Sequence, residues 1–480
     1  MLNFPENFLF GSSTSHFQVE GIDHEFEKNL SDWAIWSKKK YKIKDLSSPY
    51  PGSAFFNTFA QDIELAYKLN LKAFRFSLNW AYLCPEPPVN LAKAPTLNPE
   101  AVKFYQQIFW LLKKYGLTNF VTLFHFTLPT WLAQIGGWTN ELTATQFGLF
   151  SQLIGEAFKT DIDYLITLNE PMVYVYHSYI SGNWPPGPVN DYYSAFRAMK
   201  NLLKGHAFAY NQLKAINDFP ISIAKHWRLF KPYNSLNPLD NYVCKLRDEV
   251  FNKSLMNAFI TSNLIFPREL NFDKNIANLQ GYIPDLQYSL DYIGINFYTQ
   301  DTCQYLWQNP YNIFGKVVYN NNKERNCLGW QLAPEALYQI LTKEILPYKT
   351  GRNGKNLPIH ITENGYPENF PAHQDSGDWS LNDQVRCEYI VNHLKVIHDA
   401  ITSGVDVRSY LYWSLIDNFE WDLGLTPRFG LIRINYVNQL RDLRLSAKLF
   451  AQIAQKNAID RELLNSPLII PNTILQSKFS

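Results

Sequence analysis

Tyr164-Leu-Ile-Thr-Leu-Asn-Glu170-Pro171 is a short apolar stretch of β type that ends in a carboxylate. A second stretch, Leu357-Pro-Ile-His-Ile-Thr-Glu363-Asn-Gly365, is built in the same way. Each one predicts a buried strand, because a run of β-favouring residues stops at a Pro or Gly signal. Taken alone, each carboxylate also suits ordinary helix capping or a turn. Their meaning therefore depends on the rest of the chain.

Such runs recur from end to end of the chain. They lie at 8–11, 73–77, 119–124, 164–168, 221–224, 292–295, 358–362 and 409–413. Amphipathic stretches alternate with them, at 54–69, 99–115, 144–158, 193–216, 334–345 and 383–403. Eight β-then-α units predict an α/β fold, a single (β/α)8 TIM barrel with elaborated βα loops. We assign 1–459 to the barrel, with a helical and loop insertion at 229–279, and 460–480 to a C-terminal tail.

The composition indicates a small, neutral ligand. Charged residues make up 18% of the chain and the formal net charge is +1, so no strong field attracts nucleic acid, an acidic polymer or an anionic membrane. The 13 Trp and 29 Tyr exceed what a core needs and suit stacking on the apolar faces of sugar rings. We therefore expect a small neutral β-glycoside or oligosaccharide as the partner, and no nucleic acid.

Cysteine usage and the N-terminal sequence predict a plain intracellular protein. The five cysteines are odd in number, scattered and without a Cys-x-x-Cys pair, which argues against disulfides and a zinc site. The start lacks a basic segment followed by an apolar one, and no run approaches the roughly 18–20 apolar residues of a membrane span. No nucleotide or metal motif is present. The prediction is a cytoplasmic protein that uses no metal and no cofactor.

Glu170 and Glu363 are the strongest sign of chemistry. In a (β/α)8 barrel, the loops at the carboxyl ends of the strands form the active site, so two carboxylates that close two strands can meet in one pocket. At a separation of about 5–5.5 Å, one can attack a sugar carbon while the other protonates the departing oxygen. This is the arrangement of a retaining glycosidase.

Further polar and aromatic residues follow the predicted strands, namely Gln18, Arg75, His125, Asn169, Asn296, Tyr298 and Trp413. With them the chain resembles glycoside hydrolase family one, the retaining β-glucosidases and β-galactosidases, from Phe8 to roughly Phe450. The resemblance is carried by Phe8-Leu-Phe-Gly-Ser-Ser-Thr-Ser-His-Phe-Gln18-Val-Glu-Gly21, Arg75-Phe-Ser-Leu-Asn-Trp80, Thr167-Leu-Asn-Glu170-Pro171, Gly294-Ile-Asn-Phe-Tyr298, Ile361-Thr-Glu363-Asn-Gly365 and Tyr412-Trp-Ser-Leu-Ile-Asp-Asn-Phe-Glu420-Trp421.

The resemblance implies that Glu363 is the nucleophile and Glu170 the acid/base, with Asn296 in the catalytic group. Arg75 and Tyr298 would hold Glu363 ionised through hydrogen bonds to its charged form. A buried structural ion pair for Arg75 and core packing for Tyr298 are the alternatives. Glu170 would stay protonated beside the Glu363 charge and become a base once the glycosyl-enzyme has formed.

The resemblance also implies a sugar-binding set, made of Gln18, His125, Asn169, Glu420, Trp421 and Phe429, with Trp413 as the stacking floor. Asn169 would contact the sugar 2-hydroxyl, where hydrogen bonds strengthen in the transition state. Trp330 resembles the family's aglycone-stacking Trp. It could equally support the start of the next helix.

Three features of the sequence depart from patterns found in the family. Phe126 stands where the family commonly has Trp, so an indole donor to the sugar 3-hydroxyl is absent. Residues 25–33 replace a Gly- and Arg-rich segment. Members that act on 6-phosphorylated sugars carry Ser, Lys and Tyr where this chain has Glu420, Pro427 and Phe429. A carboxylate at that position would repel phosphate.

The sequence therefore predicts a retaining exo-β-glycosidase, most simply a β-glucosidase acting on unphosphorylated β-glucosides. A transglycosidase and a catalytically quiet sugar-binding barrel are the alternatives, since a fold does not guarantee an activity. The pattern does not choose among gluco-, galacto-, fuco- and manno-configured sugars. It also leaves the aglycone and the oligomeric state open.

Overall fold

The computed structural model describes residues 1–21, 30–270, 274–307, 313, 315–319, 325–369 and 383–464. Its centre is a closed parallel barrel, in which the strands neighbour one another in chain order and the last pairs with the first. The strands are β1 (Leu9–Ser13), β2 (Ala73–Ser77), β3 (Thr118–Phe124), β4 (Tyr164–Asn169), β5 (Ile221–His226), β6 (Ile293–Asn296), β7 (Ile359–Asn364) and β8 (Val407–Trp413). The prediction of a (β/α)8 barrel is confirmed.

Helices follow each strand and cover the outside of the barrel. The longer ones are α1 (Phe55–Lys68), α2 (Pro99–Lys114), α3 (Glu141–Ala157), α4 (Tyr192–Ile216), α5 (Pro238–Asp248), α6 (Ser254–Thr261), α7 (Pro334–Gln339), α8 (Gln384–Thr402) and α9 (Leu445–Lys456). Short helices in the loops include His16–Val19, Asp32–Ser37, Trp80–Leu83, Thr130–Gln134 and Pro171–Val175. The side chains of Asn98 and Asn140 cap α2 and α3 by accepting backbone N–H bonds, which satisfies donors that a helix start leaves free.

A small sheet beside the barrel was not expected from the sequence. Its strand Leu229–Pro232 runs parallel to Gln300–Tyr305, which pairs with Gly315–Val317 in the antiparallel sense. The interpretation of 229–279 as only helix and loop is therefore wrong at its first four residues, and also at Asn263–Leu264, which pairs antiparallel with Gly281–Tyr282. Pro232 ends the strand after four residues, which leaves too short a pattern to indicate a strand.

Aromatic and aliphatic side chains fill the interior of the barrel away from the carboxyl ends of the strands, and the N-terminal residues pair with the segment after α9. Several strands each contribute one side chain to a buried layer, which includes Ala73, Phe120, Ile166, Ala224 and Leu411. Leu2–Asn3 pairs antiparallel with Ala458–Ile459, and a short 3-10 turn follows at Arg461–Leu464. The rest of the tail, 465–480, lies outside the described residues, as do residues 25–29 of the segment 25–33 that departs from the family pattern. Across the described ranges, none of the helices combines the length and apolar character needed to cross a membrane.

Candidate active site

A cavity of about 700 Å³ opens at the carboxyl ends of the barrel strands. The sequence-predicted residues that line it are Gln18, His125, Asn169, Glu170, Tyr298, Trp330, Glu363, Trp413, Glu420, Trp421 and Phe429. Arg75 and Asn296 are fully buried behind this lining and reach it through hydrogen bonds. The structure thus brings the whole predicted set together at the end of the barrel where the loops form active sites.

Glu363 is held at both of its oxygens. Arg75, from β2, donates from Nη1 to Oε1 at 2.6 Å, and the Tyr298 hydroxyl donates to Oε2 at 2.7 Å. The guanidinium has no exposed surface, so this charge-assisted pair lies away from bulk water. Gly365 is needed two residues later, because a Cβ there would collide with the Trp413 carbonyl oxygen. The motif therefore combines a fixed carboxylate with a close approach of β7 and β8.

A chain of amide hydrogen bonds connects the two carboxylates. Arg75 donates from Nη2 to Asn169 Oδ1 at 2.7 Å, and Asn296 Nδ2 donates to the same oxygen at 3.1 Å. Asn296 Nδ2 also donates to Glu170 Oε1 at 2.8 Å. With both acceptor positions of Asn169 Oδ1 in use, its Nδ2 faces His125 Nε2 at 3.1 Å. Asn169 and Asn296 thereby fix the side chains around both carboxylates.

Glu170 lies at the turn between β4 and a short helix. Its φ is 41°, in the left-handed region that few residues other than glycine occupy, and Pro171 begins the helix that follows. Strain of this kind tends to collect at functional positions. His226, the last residue of β5, contacts Glu170 Oε1 through Nδ1 at 3.1 Å. Glu170 therefore contacts Asn296 and His226 through one and the same oxygen.

The two carboxyls are coupled, and burial acts on both. Burial raises the pKa of Glu363 to about 7, while Arg75 and Tyr298 act in the opposite direction. Burial acts to raise the pKa of Glu170, but His226, Asn296 and Arg75 outweigh it and lower that pKa, with the charge of a protonated His226 as the largest of these effects. Because burial lowers the pKa of His226 itself, that ring is neutral near pH 7. The permanent charge of Arg75 contacts Glu363 directly, and this geometry favours the negative charge of the pair on Glu363.

At the inner end of the cavity, Gln18 and Glu420 form a polar pair. Gln18 Nε2 donates to Glu420 Oε2 at 3.0 Å and to Asn418 Oδ1 at 3.0 Å. Burial and the charges of Glu363, Asp422 and Glu170 raise the pKa of Glu420 to about 8. Hydrogen bonds donated by hydroxyl groups would therefore stabilise the ionised form of Glu420 and lower its pKa.

Aromatic rings form the walls of the cavity. His125 lies roughly parallel to Trp413 at 6.0 Å between ring centres and to Trp421 at 6.1 Å. Towards the opening, Trp330 packs on Tyr298 at 5.2 Å and on Phe429 at 6.2 Å. These surfaces are suited to the apolar faces of sugar rings and to an apolar aglycone. Trp330 thus lines the cavity and does not serve only the start of α7.

Phe126, the departure from the family pattern, is buried within this aromatic wall. Its ring lies 4.8 Å from that of Trp184 and 5.2 Å from that of Trp421. Trp184 donates its indole N–H to Asp422 Oδ1 at 2.8 Å, so that donor is already in use. Phe126 therefore packs against neighbouring rings and offers no side-chain hydrogen bond to a sugar.

His226 is the site residue that the sequence analysis missed. The predicted fifth strand stopped at position 224, whereas the observed β5 ends at His226. The rule that selected the other residues, a polar group where a barrel strand ends, would have selected His226 if the strand had been extended by two residues. Lys225 and His226 interrupt the apolar run, and this polarity hid the end of the strand.

Known proteins share both the sequence pattern and the fold. The family model described as glycosyl hydrolase family 1 matches residues 1–459. The chain belongs to glycosyl hydrolase family 1. It is therefore an O-glycoside hydrolase.

Individual relatives of this family 1 enzyme cover nearly its whole length. Beta-glucosidase A of Thermotoga maritima is 30% identical over 95% of this chain and 99% of that protein. A beta-galactosidase of Sulfolobus acidocaldarius is 28% identical over 96% and 97% of the two chains. The solved beta-glycosidase from Pyrococcus horikoshii has a TM-score of 0.82 at 32% identity, covering 96% of this chain and 97% of that one.

Proposed function

We propose that the enzyme is a retaining exo-β-glycosidase that hydrolyses unphosphorylated β-glucosides. The observation that carries the proposal is the unequal environment of two carboxyls in one cavity. Glu363 accepts from Arg75 and Tyr298, whereas Glu170 accepts from the neutral donors Asn296 and His226. One group is thereby suited to attack as an anion and the other to give up a proton.

The reaction follows as a double displacement. A Glu363 oxygen bonds to the anomeric carbon as the bond to the glycosidic oxygen breaks, and Glu170 passes its proton to that oxygen. Formation of the ester removes the Glu363 charge, so the pKa of Glu170 falls and its carboxylate can take a proton from water. The water oxygen then displaces Glu363 from the anomeric carbon, which restores the original configuration.

The polar residues at the inner end of the cavity support a plain sugar. Glu420 and Gln18 can bond sugar hydroxyls, and the neighbouring carboxyls would repel a phosphate dianion. The relatives are named for glucosides and for galactosides, and we propose the glucoside as the main substrate with β-galactosides and β-fucosides as secondary ones. A location in the cytoplasm stays a prediction.

The stereochemistry of the product tests the proposal. Aryl β-glucoside, β-galactoside and β-fucoside are mixed with enzyme, and proton NMR follows the first sugar released, with and without a competing alcohol. We expect the β-anomer of the free sugar, and a β-glycoside of the alcohol in smaller amount. Glu156→Gln, at an exposed position far from the cavity, is the control and should behave as the wild type. An α-anomer as first product, or no cleavage of any substrate, would contradict the proposal.

A further inference from the structure

His226 occupies a position next to the acid/base from which it can control a single proton. Its Nδ1 lies 3.1 Å from Glu170 Oε1, and Asn296 Nδ2 lies 2.8 Å from the same oxygen. Thr362 orients the amide, because its hydroxyl donates to Asn296 Oδ1 at 2.6 Å and so turns Nδ2 towards Glu170. Within the described part of the chain, no hydrogen bond reaches the other oxygen, Oε2.

This asymmetry decides which oxygen can carry the acid proton. A carboxyl oxygen that accepts two N–H bonds is the carbonyl-type oxygen of a neutral acid. The proton then lies on Oε2, the oxygen left for the glycosidic bond. If Oε1 lost its donors, the proton could occupy either oxygen of Glu170. Only a proton on Oε2 would face the substrate.

His226 acts as a neutral donor. Its Nε2 is buried without a partner in the described residues, and the centre of the His226 ring lies 5.8 Å from the ring centres of Phe251 and of Tyr298. A protonated ring would bury an unpaired N–H there, which is costly. The neutral form with the hydrogen on Nδ1 leaves only a lone pair unmet, and it directs its one N–H at Glu170 Oε1.

The charged groups around the His226 ring do not favour its protonated form overall. Lys225, the preceding residue, donates to the His226 carbonyl oxygen and to Asn252 Oδ1 at 2.9 Å, so its ammonium group is already engaged. Arg228 pairs with Asp301 at 3.2 Å. Both cations lower the pKa of His226 and only Glu170 raises it, while Tyr298 is a neutral neighbour.

We propose that His226 is a positioning residue that holds the acid proton of Glu170 on Oε2. The inference rests on the proposed function, in which Glu170 is the acid. His226 acts together with Asn296, and its N–H also favours the carboxylate form that Glu170 takes in the second step. Without that donor, proton delivery to the leaving group should suffer while attack by Glu363 should not.

The first measurement needs no catalysis. In ¹⁵N-labelled wild type, the His226 ring should show hydrogen on Nδ1 and none on Nε2, and the opposite tautomer would overturn the proposal. In ¹³C-glutamate-labelled protein, with Glu170→Gln as the assignment standard, His226→Phe should move the Glu170 titration upward by roughly one unit, because a donor to the charged form is lost. His226→Gln, which can keep an N–H at that position, should move it much less.

The second measurement uses substrates with different leaving groups. His226→Phe should lower kcat/KM at least about tenfold for an alkyl β-glucoside, whose leaving group needs the proton, and less than about threefold for a dinitrophenyl β-glucoside. The alkaline limb of the pH profile should move upward with the Glu170 pKa. The control His360→Phe changes another buried ring whose Nε2, like that of His226, has no partner in the described residues, but which lies at the start of β7. It should leave kcat/KM unchanged for both substrates.

The outcomes separate the two proposals. An unchanged Glu170 titration, or an equal loss for both substrates with an unmoved alkaline limb, would reduce His226 to a packing role and overturn the inference. If the Glu170 titration shifts as expected but the wild type cleaves no β-glycoside, the proposed function fails and the placement of the proton stands.

Discussion

Arg75 is the residue on which the division of labour between the carboxyls depends. It contacts Glu363 at 2.6 Å and Asn169 at 2.7 Å, so one guanidinium orients both the proposed nucleophile and an amide next to the proposed acid. It is fully buried, and its charge acts through a medium that screens poorly. The other side chains that donate within the network, Asn296 and Tyr298, are neutral. The Arg75 side chain therefore supplies the positive electrostatic potential that favours the ionised form of Glu363.

Azide rescue tests the roles that follow. We expect Glu363→Ala to lose essentially all turnover, because no covalent intermediate can form. Azide would then attack the β-glucoside from the vacated side and give the α-glucosyl azide. With Glu170→Ala and an activated substrate, azide should instead react with the glycosyl-enzyme and give the β-glucosyl azide. NMR of the two products decides, and the reverse pairing of anomers would exchange the two roles.

Glu420 is the residue that should separate plain sugars from phosphorylated ones. A hydrogen bond to a charged group contributes roughly 1.5–3 kcal/mol, so Glu420→Ser should lower kcat/KM for a neutral β-glucoside by about ten- to a hundredfold. Since its pKa is raised to about 8, the preference over the 6-phospho-β-glucoside should grow as the pH rises towards 8. Paired assays at several pH values measure it. A wild type that prefers the phosphorylated substrate, or a serine variant with unchanged glucoside turnover, would refute the assignment.

At the scale of elements, the sequence was most informative where side chains must point into the barrel. All eight strands were predicted, since their apolar runs face helices outside and a packed interior inside. The ends of strands were harder to predict. β5 was predicted two residues short because Lys225 and His226 are polar yet buried, and they contact partners distant in sequence, Asn252 and Glu170. Only the folded chain reveals such partners. The small sheet beside the barrel was missed because its strand Leu229–Pro232 is too short to give a pattern.

His206 joins α4 to the barrel, and its titration should affect stability. It contacts the Thr167 hydroxyl at 2.6 Å and the Ser289 carbonyl oxygen at 2.9 Å, and burial lowers its pKa to about 4. The unfolded chain binds a proton near pH 6.5 and the folded one near 4, so the stabilisation is complete above pH 6.5 and is lost as the pH falls towards 4.

Urea unfolding at pH 7.5 and 5.0 measures this effect. The His206 contribution should fall by about 2 kcal/mol between the two conditions, because only the unfolded state takes up the proton. In His206→Gln, the drop in unfolding free energy between the two pH values should be smaller by that amount. An identical drop in the wild type and the variant would show that the buried histidine does not couple folding to pH.

At the scale of the whole molecule, a buried ion cluster closes the C-terminal part of the chain onto the barrel. Arg444, just before α9, makes two bonds of 2.9 Å with Asp417, which follows β8. Arg428 adds a third at 3.2 Å, and all three side chains are completely buried. The segment that carries Trp413 and Glu420 into the cavity is thus held by the same cluster that fixes α9.

Removing the one carboxylate shared by two buried guanidiniums should therefore be costly. Asp417→Asn preserves the shape but removes the carboxylate charge that both Arg428 and Arg444 contact, and breaking a buried pair in this way costs about 3–5 kcal/mol. The neighbouring carboxylates Asp383 and Glu368 form their ion pairs with Arg386.

Asp406→Asn provides the matched control for that substitution. It breaks the Asp406–Arg408 pair, whose side chains are 52% and 54% exposed, and should cost no more than about 1 kcal/mol. Urea unfolding at pH 7.5 compares both variants with the wild type. Because the pKa of Asp417 is lowered in the folded protein, its contribution should be present at neutral pH and decline as the pH falls below about 4. Equal costs for the two variants at pH 7.5 would mean that shape and packing, and not the buried charges, hold this end of the chain in place.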